Sequence, residues 1–373
     1  MSTIKTIGLL TGGGDAPGLN AVIRAVVKTA VGVYNLKVIG IEDGFEGLLG
    51  ETQARELKPE DVRGLLPRGG TILGTRNRGR FVVHDADGDH KPEESFTEAI
   101  KNLERLGIDG LVVLGGEGSL GIAQEFYARG IPVIGVPKTI DNDLACTELT
   151  FGFVTALDIA TEALDRLHTT AASHDRVMVL EVMGRHTGWI ALHSGISGGA
   201  DVILIPEIPF TVEAVVEKVH ERERCDSQFT IVVAAEGAAP VGGQEIYQVA
   251  GDKEHAPRLG GVGNYVAQEI ERLTGKESRC VVLGHLQRGG SPNAFDRMLA
   301  TNYGACAVHA LMRGEHGKMV ALHAADIITV PLSRACANLK TVPTESHLVR
   351  TARDVGISFG APDEAEHHGK EVC

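Results

Sequence analysis

Short runs of aliphatic, β-branched residues alternate with stretches of helical periodicity along most of this chain, and glycines gather where the runs end. Residues 4–10 read as a buried strand, 19–31 as a helix and 37–41 as a second strand. Phe96, Ile100, Leu103 and Leu106 recur on one face of a helix over 94–106, and strands at 111–114 and 132–136 bracket a helix at 120–128. A second series follows. A helix over 154–167 carries a stripe of Val154, Leu157, Ala160, Leu164 and Leu167. Strands are then expected at 177–182, 202–205, 229–235 and 280–283, and helices at 188–196, 212–219, 261–273 and 295–312. Strands and helices that alternate in this way build a parallel sheet with both faces covered. The fold class is therefore α/β. At 373 residues the chain exceeds what one core usually serves, so two domains are expected. Aromatic residues are only 4%, with Trp189 the single tryptophan, so the cores must be made of Val, Ile, Leu and Ala.

The formal charge is −13, from 36 Lys and Arg against 49 Asp and Glu, which disfavours nucleic acid as a partner. An anionic small substrate stays compatible with it, because a few arginines can reverse the field in one cleft. The six cysteines include no C-x-x-C pair, so neither a zinc site nor a disulfide framework is indicated, and a reducing cytoplasm is the expected compartment. The N-terminal apolar stretch is too short for a signal peptide or a spanning helix, so no membrane partner is expected.

Ligands of open α/β sheets bind beyond the carboxyl ends of the strands, and the unusual residues of this chain follow the strands. The first turn reads Gly12, Gly13, Gly14, Asp15, Ala16, Pro17, Gly18, Leu19, Asn20; it is neither G-x-G-x-x-G nor a P-loop. Bare backbone leading into a helix N-terminus can approach an anion, although the same glycines also suit a plain tight turn. The second turn, Gly115, Gly116, Glu117, Gly118, Ser119, sets a carboxylate among glycines at a helix entry, which suits Mg²⁺ held together with phosphates. After the strand at 132–136 come Pro137, Lys138, Thr139, Ile140, Asp141, Asn142 and Asp143. Two carboxylates so spaced can divide labour in phosphoryl transfer, one taking the proton of the attacking hydroxyl and the other organising metal. Taken alone, D-N-D is also an ordinary solvated turn.

Five blocks occur in order between residues 12 and 290: GGGDAPGLN, GGEGS, PKTIDND, MGRHTGW over 183–189 and LGHLQRGG over 283–290. Together they resemble the ordered signature of the ATP-dependent 6-phosphofructokinase family, of the bacterial type that mixes ATP and pyrophosphate signature residues. The resemblance implies two Rossmann-like α/β/α domains with largely parallel sheets and an active site in the cleft between them. It implies a larger donor-binding domain over 1–152 and about 265–320, a smaller sugar-phosphate domain over 153–264, and a C-terminal segment over 321–373 ending in a tail from about Pro362. The implied reaction moves a phosphoryl group from MgATP to the 1-hydroxyl of fructose 6-phosphate, giving fructose 1,6-bisphosphate in glycolysis.

By the same resemblance Asp141 is the general base, with Thr139, Asp143 and Arg185 completing the catalytic set. Glu117 and Asp143 are the Mg²⁺ ligands. Gly14, Gly116, Gly118 and Ser119 line the nucleotide phosphates, and Asn77 and Arg78 touch the donor. Thr139, Ile140, Asp141, Met183, Gly184, Arg185, Glu236, His285, Leu286, Gln287 and Arg288 are the substrate-binding residues. Arg176 and Arg279 match positions that reach into a neighbouring subunit's site, so the resemblance implies a homotetramer. A planar guanidinium suits phosphate oxygens, which favours Arg185 and Arg288 for that work.

Donor choice turns on two residues. Gly118 leaves room for an α-phosphate and ribose, where the pyrophosphate-using branch carries a carboxylate. Lys138 matches that branch instead. The steric argument at Gly118 favours ATP; pyrophosphate-dependent fructose-6-phosphate 1-phosphotransferase is the alternative. A kinase acting on NAD or a lipid is disfavoured by Arg185, His285 and Arg288, and a non-catalytic subunit by the presence of Asp141 and Arg185. Missing G-x-G-x-x-G disfavours a dehydrogenase. Arg24 and Lys28 match part of the family's effector site. His168 replaces the usual arginine there, and ERERCDSQ replaces a lysine-rich stretch, so ADP activation through that site is not expected.

Overall fold

The computed structural model describes residues 4–76, 79–81, 83–85, 88–90, 92–243, 246–249 and 258–362. The chain opens with β1 (Thr6–Thr11), α1 (Leu19–Tyr34), β2 (Lys37–Ile41), β3 (Ala54–Glu56), β4 (Val83–Asp85), β5 (Gly88–His90), α2 (Glu93–Arg105), β6 (Gly110–Gly115), α3 (Glu117–Ala128) and β7 (Val133–Pro137). It continues with α4 (Phe153–His174), β8 (Val177–Val182), α5 (Trp189–Ser197), β9 (Val202–Leu204), α6 (Val212–Arg224), β10 (Thr230–Ala235), β11 (Tyr247–Val249), β12 (Arg258–Leu259), α7 (Val262–Thr274) and β13 (Ser278–Val282). It closes with α8 (Ala294–Met312), β14 (Lys318–His323), β15 (Asp326–Pro331), α9 (Leu332–Ala335) and α10 (His347–Asp354).

The chain divides into two compact units. The first comprises 1–140, 144–155 and 288–339; the second comprises 141–143, 156–287 and 340–373. Among the described residues the first unit holds a seven-stranded sheet in the order β15-β14-β7-β6-β1-β2-β3. Its central pairings, β2 with β1, β1 with β6, β6 with β7 and β7 with β14, are parallel, whereas β3 and β15 add antiparallel edges. Period-two alternation covers both faces. Leu9, Val112 and Leu114 pack into one core with α1 and α8, while Leu10, Leu111 and Val113 pack into another with α2 and α3. The chain steps from β1 to β2 on one side and returns through β6 on the other, which makes β1 a topological switch point.

The second unit carries an all-parallel sheet in the order β13-β8-β10-β9. Val177, Val179, Val232 and Leu204 form its core with Val215, Val219, Val266 and Ile270 of α6 and α7. The α/β class expected from the sequence is the one observed. The boundaries differ, however. Residues 265–287 were expected with the donor domain, yet they fold in the second unit, because β13 bonds in register to β8 from Ser278 opposite Val177 to Val282 opposite Glu181.

The segment over 321–373 also differs from a mere C-terminal extension. Residues 321–339 complete the first sheet through β14 and β15, and 340–362 join the second unit. The expected tail from about Pro362 lies, from residue 363, outside the described residues. Two helices run longer than their apolar stripes. In α4 a polar stretch stays helical, the hydroxyls of Thr169 and Ser173 bonding back to the carbonyls of Arg166 and Thr169, until Asp175 turns left-handed at φ 54°. α6 is N-capped by Thr211, whose hydroxyl accepts the Ala214 N–H at 3.2 Å, and it extends through the Lys218–Glu221 and His220–Glu223 pairs.

Candidate active site

The carboxyl ends of β1 and β6, at the switch point, carry the two glycine turns. They lie close: the Gly12 N–H donates to the Leu114 carbonyl at 2.8 Å, and a Cβ on Gly12 would stand 2.6 Å from Ser119 Oγ. Only a residue without a side chain lets the turns meet this way. Between them opens a cavity of about 390 Å³, the size of a small-ligand site. Gly14, Gly116, Glu117, Gly118, Ser119, Lys138, Thr139 and Arg288 line it, all of them residues singled out in the sequence. Arg76, Asp43, Phe45, Glu46, Gly79, Phe81 and Ile122 line it as well and were not foreseen. Arg76 is adjacent to the expected Asn77 and Arg78, which lie outside the described residues, and its guanidinium is held by Asp43 at 3.1 Å.

Each wall has a definite chemistry. Gly116 precedes α3, and Glu117 stands in the first turn of that helix, where its negative charge meets the positive helix end. A Cβ added to Gly118 would meet nothing within 4 Å among the described residues, so this position faces open space. Lys138 is buried, 4% exposed, and its ammonium donates to the Gly14 carbonyl, which ties the lysine to the first glycine turn. Arg288 ends the short helical turn Gly284–Arg288 and donates to the Asp15 carbonyl at 3.2 Å. Thr139 is fixed through its carbonyl, which accepts the Thr150 hydroxyl at 2.6 Å, and Ile140 is wholly buried.

In the second unit the expected sugar-phosphate residues gather at one end of the sheet. Met183, Gly184 and Arg185 follow β8, Glu236 follows β10, and His285, Leu286 and Gln287 follow β13, three neighbouring parallel strands. Arg185 and His285 are exposed. Gln287 is wholly buried, and its Oε1 accepts the Met183 N–H at 2.8 Å, so it shapes the Met183 loop. Asp141, Asn142 and Asp143 form a tight loop in which Asn142 is left-handed at φ 52°. Asp143 Oδ1 is buried without a hydrogen-bond partner among the described residues. Arg176 and Arg279 both pair with Glu277 within the chain, at 2.7 and 2.6 Å. Among the residues matched to an effector site, His168 bonds the Gly198 carbonyl at 2.7 Å. In the stretch read as ERERCDSQ, Arg222 pairs with Asp201 at 3.1 Å.

The profile of the family described as Phosphofructokinase matches residues 6–311. The ATP-dependent 6-phosphofructokinase of Chloroflexus aggregans is 61% identical over 356 residues, 95% of this chain and 98% of that protein. The pyrophosphate--fructose 6-phosphate 1-phosphotransferase of Amycolatopsis methanolica is 53% identical over 345 residues, 91% of this chain and 97% of that one. The crystal structure of Pichia pastoris phosphofructokinase in the T-state superposes with a TM-score of 0.79 at 33% identity, over 95% of this chain but 37% of the yeast chain.

Proposed function

We infer the chemistry of the site from one premise, that the chain belongs to the phosphofructokinase family: it transfers the γ-phosphoryl group of MgATP to the 1-hydroxyl of fructose 6-phosphate. The observation that carries the choice of ATP is the open space at Gly118, on the wall of the glycine-lined cavity. The higher identity to the ATP-dependent relative than to the pyrophosphate-dependent one supports the same choice.

In this reading the glycine-lined cavity of the first unit binds the donor. Backbone N–H groups of the two glycine turns receive the nucleotide phosphates. Asp141 takes the proton of the 1-hydroxyl as its oxygen attacks, and Thr139 orients the transferring group. Arg185 answers the negative charge spread over the equatorial oxygens, and Arg288 and His285 hold the 6-phosphate. Among the described residues no group of three or more His, Cys, Asp or Glu forms a self-sufficient metal cage. That suits Mg²⁺, which keeps waters and binds through one or two carboxylates plus substrate phosphates. Glu117, which lines the cavity of the first unit, and Asp143 of the second, whose Oδ1 has no hydrogen-bond partner among the described residues, are the two carboxylates we assign to it. These carboxylates would hold Mg²⁺, which would supply neutralisation of phosphate charge.

The enzyme works as a homotetramer in the cytoplasm, with Arg176 and Arg279 reaching a neighbour's site. Among the described residues no helix is long and apolar enough to cross a membrane. The test is a coupled assay with fructose 6-phosphate and either ATP or pyrophosphate, on wild type and Asp141→Ala. ATP should support turnover, and loss of the base should lower kcat roughly 10²–10⁴-fold. Turnover with pyrophosphate and none with ATP would overturn the donor; near-normal kcat in Asp141→Ala would overturn the base.

A further inference from the structure

Glu207 sits in the turn after β9, between Ile205 and Ile208, which form an isolated bridge. Surface turns usually send a carboxylate to water. This one is turned inward: its Oε1 and Oε2 accept the Gly188 N–H at 3.1 and 3.0 Å, and Oε1 also accepts the Val342 N–H at 2.8 Å. Burial pushes the Glu207 carboxyl above its ordinary range, against the pull of the Val342 and Gly188 N–H groups. Glycine at 188 is what admits the carboxylate, since a Cβ there would collide with Ile205 and stand 3.0 Å from Oε2.

Both arms lead back to the acidic loop. Beside Gly188, the Thr187 hydroxyl donates to the Asp141 carbonyl at 3.3 Å. Two residues before Val342, the Lys340 N–H donates to the Asp143 carbonyl at 2.8 Å. The Lys340 carbonyl in turn accepts the Trp189 indole N–H at 2.7 Å. The path from Asp141 through Thr187, Gly188, Glu207, Val342 and Lys340 to Asp143 is thus closed, and it lies wholly in the second unit.

We propose that Glu207 is a positioning residue for phosphoryl transfer: by joining the Gly188 and Val342 N–H groups it closes a ring that fixes the backbone of Asp141 and Asp143. The proposal rests on the reading of Asp141 as the base. A carboxylate displaced by a fraction of an ångström still binds substrate but meets the hydroxyl badly, so the effect falls on turnover.

Steady-state kinetics on wild type, Glu207→Ala, Glu207→Gln and Asp141→Asn test it, with fluorescence of the single tryptophan as a second readout. Glu207→Ala should lower kcat by about 10–100-fold while KM for ATP moves by less than about twofold, because the donor cavity lies in the first unit. Glu207→Gln should recover most of that loss, since one amide oxygen can accept both N–H groups as Oε1 does here. Trp189 should become more accessible to acrylamide in the alanine variant and not in the glutamine variant. If Glu207→Ala does not fold, Glu207→Asp carries the same test, being charged but a methylene too short to span both donors. A kcat within twofold of wild type in the alanine or aspartate variant, with Asp141→Asn inactive, sinks the ring and leaves the base standing. Equal losses in the alanine and glutamine variants sink it too. An active Asp141→Asn instead removes the base reading and the proposal with it.

Discussion

Two residues on the cavity wall suggest opposite donors by resemblance, and their surroundings differ. Lys138 is buried and committed to the Gly14 carbonyl, so its charge steadies the first glycine turn. Gly118 opens on space: among the described residues nothing lies within 4 Å of a Cβ added there. A carboxylate added there would project into the cavity beside Glu117 and meet an α-phosphate as a like charge. Gly118→Asp should therefore raise KM for ATP by at least about tenfold, some 1.4 kcal/mol, and raise turnover with pyrophosphate relative to ATP. Parallel assays with the two donors measure both; an unchanged KM for ATP would remove Gly118 as the discriminator. Gly118, Lys138 and Asp141 stand out in the sequence because a motif is read through side chains, or the lack of one. Lys340 and Val342 do not. They act through backbone N–H and carbonyl groups, which every residue owns, and Val342 meets Glu207 across 135 positions.

The hairpin of β14 and β15 shows the same limit one level up. β15, from Asp326 to Pro331, was not foreseen: its Ile327, Ile328 and Val330 are apolar, yet every position of the strand is exposed or half-buried, so no buried face marks it. It forms because β14 offers it a ladder from Lys318 opposite Pro331 to His323 opposite Asp326. The helices and central strands, by contrast, were legible because each buries a complete stripe or face. Glu315, just before β14, pins the hairpin: it accepts the Thr329 hydroxyl at 2.5 Å and the Arg313 guanidinium at 2.6 Å. The Thr329 hydroxyl first, and then Arg313, pull its carboxyl down from 4.5 to about 2. A carboxyl whose folded value is depressed stabilises the fold above its unfolded value and loses that contribution as pH falls through the folded one. Glu315→Gln should accordingly lower Tm at pH 7, and its gap to wild type should narrow once pH drops below 4.5. Melting curves taken between pH 7 and pH 3 would show a constant gap if the pairing contributes nothing.

At the scale of the whole molecule, β13 is an edge strand of the second sheet and carries exposed apolar side chains. Val281 and Val282 of β13 are 37% and 39% exposed, and Leu286 beyond it is 68% exposed. Exposed apolar edges invite another chain. Arg279 lies on the same strand, where its pairs with Glu271 and Glu277 are solvent-exposed and weakly held, so a phosphate can take the guanidinium from them. If Arg279 serves a neighbour's site, activity becomes a property of subunit pairs. Arg279→Ala and Asp141→Asn should each be nearly inactive alone. Unfolded together and refolded as mixed oligomers, they should recover roughly a quarter of wild-type activity, because a site with its own Asp141 and a neighbour's Arg279 arises in about that share of random pairings. Kinetics on the refolded mixture, with light scattering to follow the mass, decide the point. A mixture no more active than its parents would mean that Arg279 works within its own chain, as its bonds to Glu277 in the single chain would then also imply.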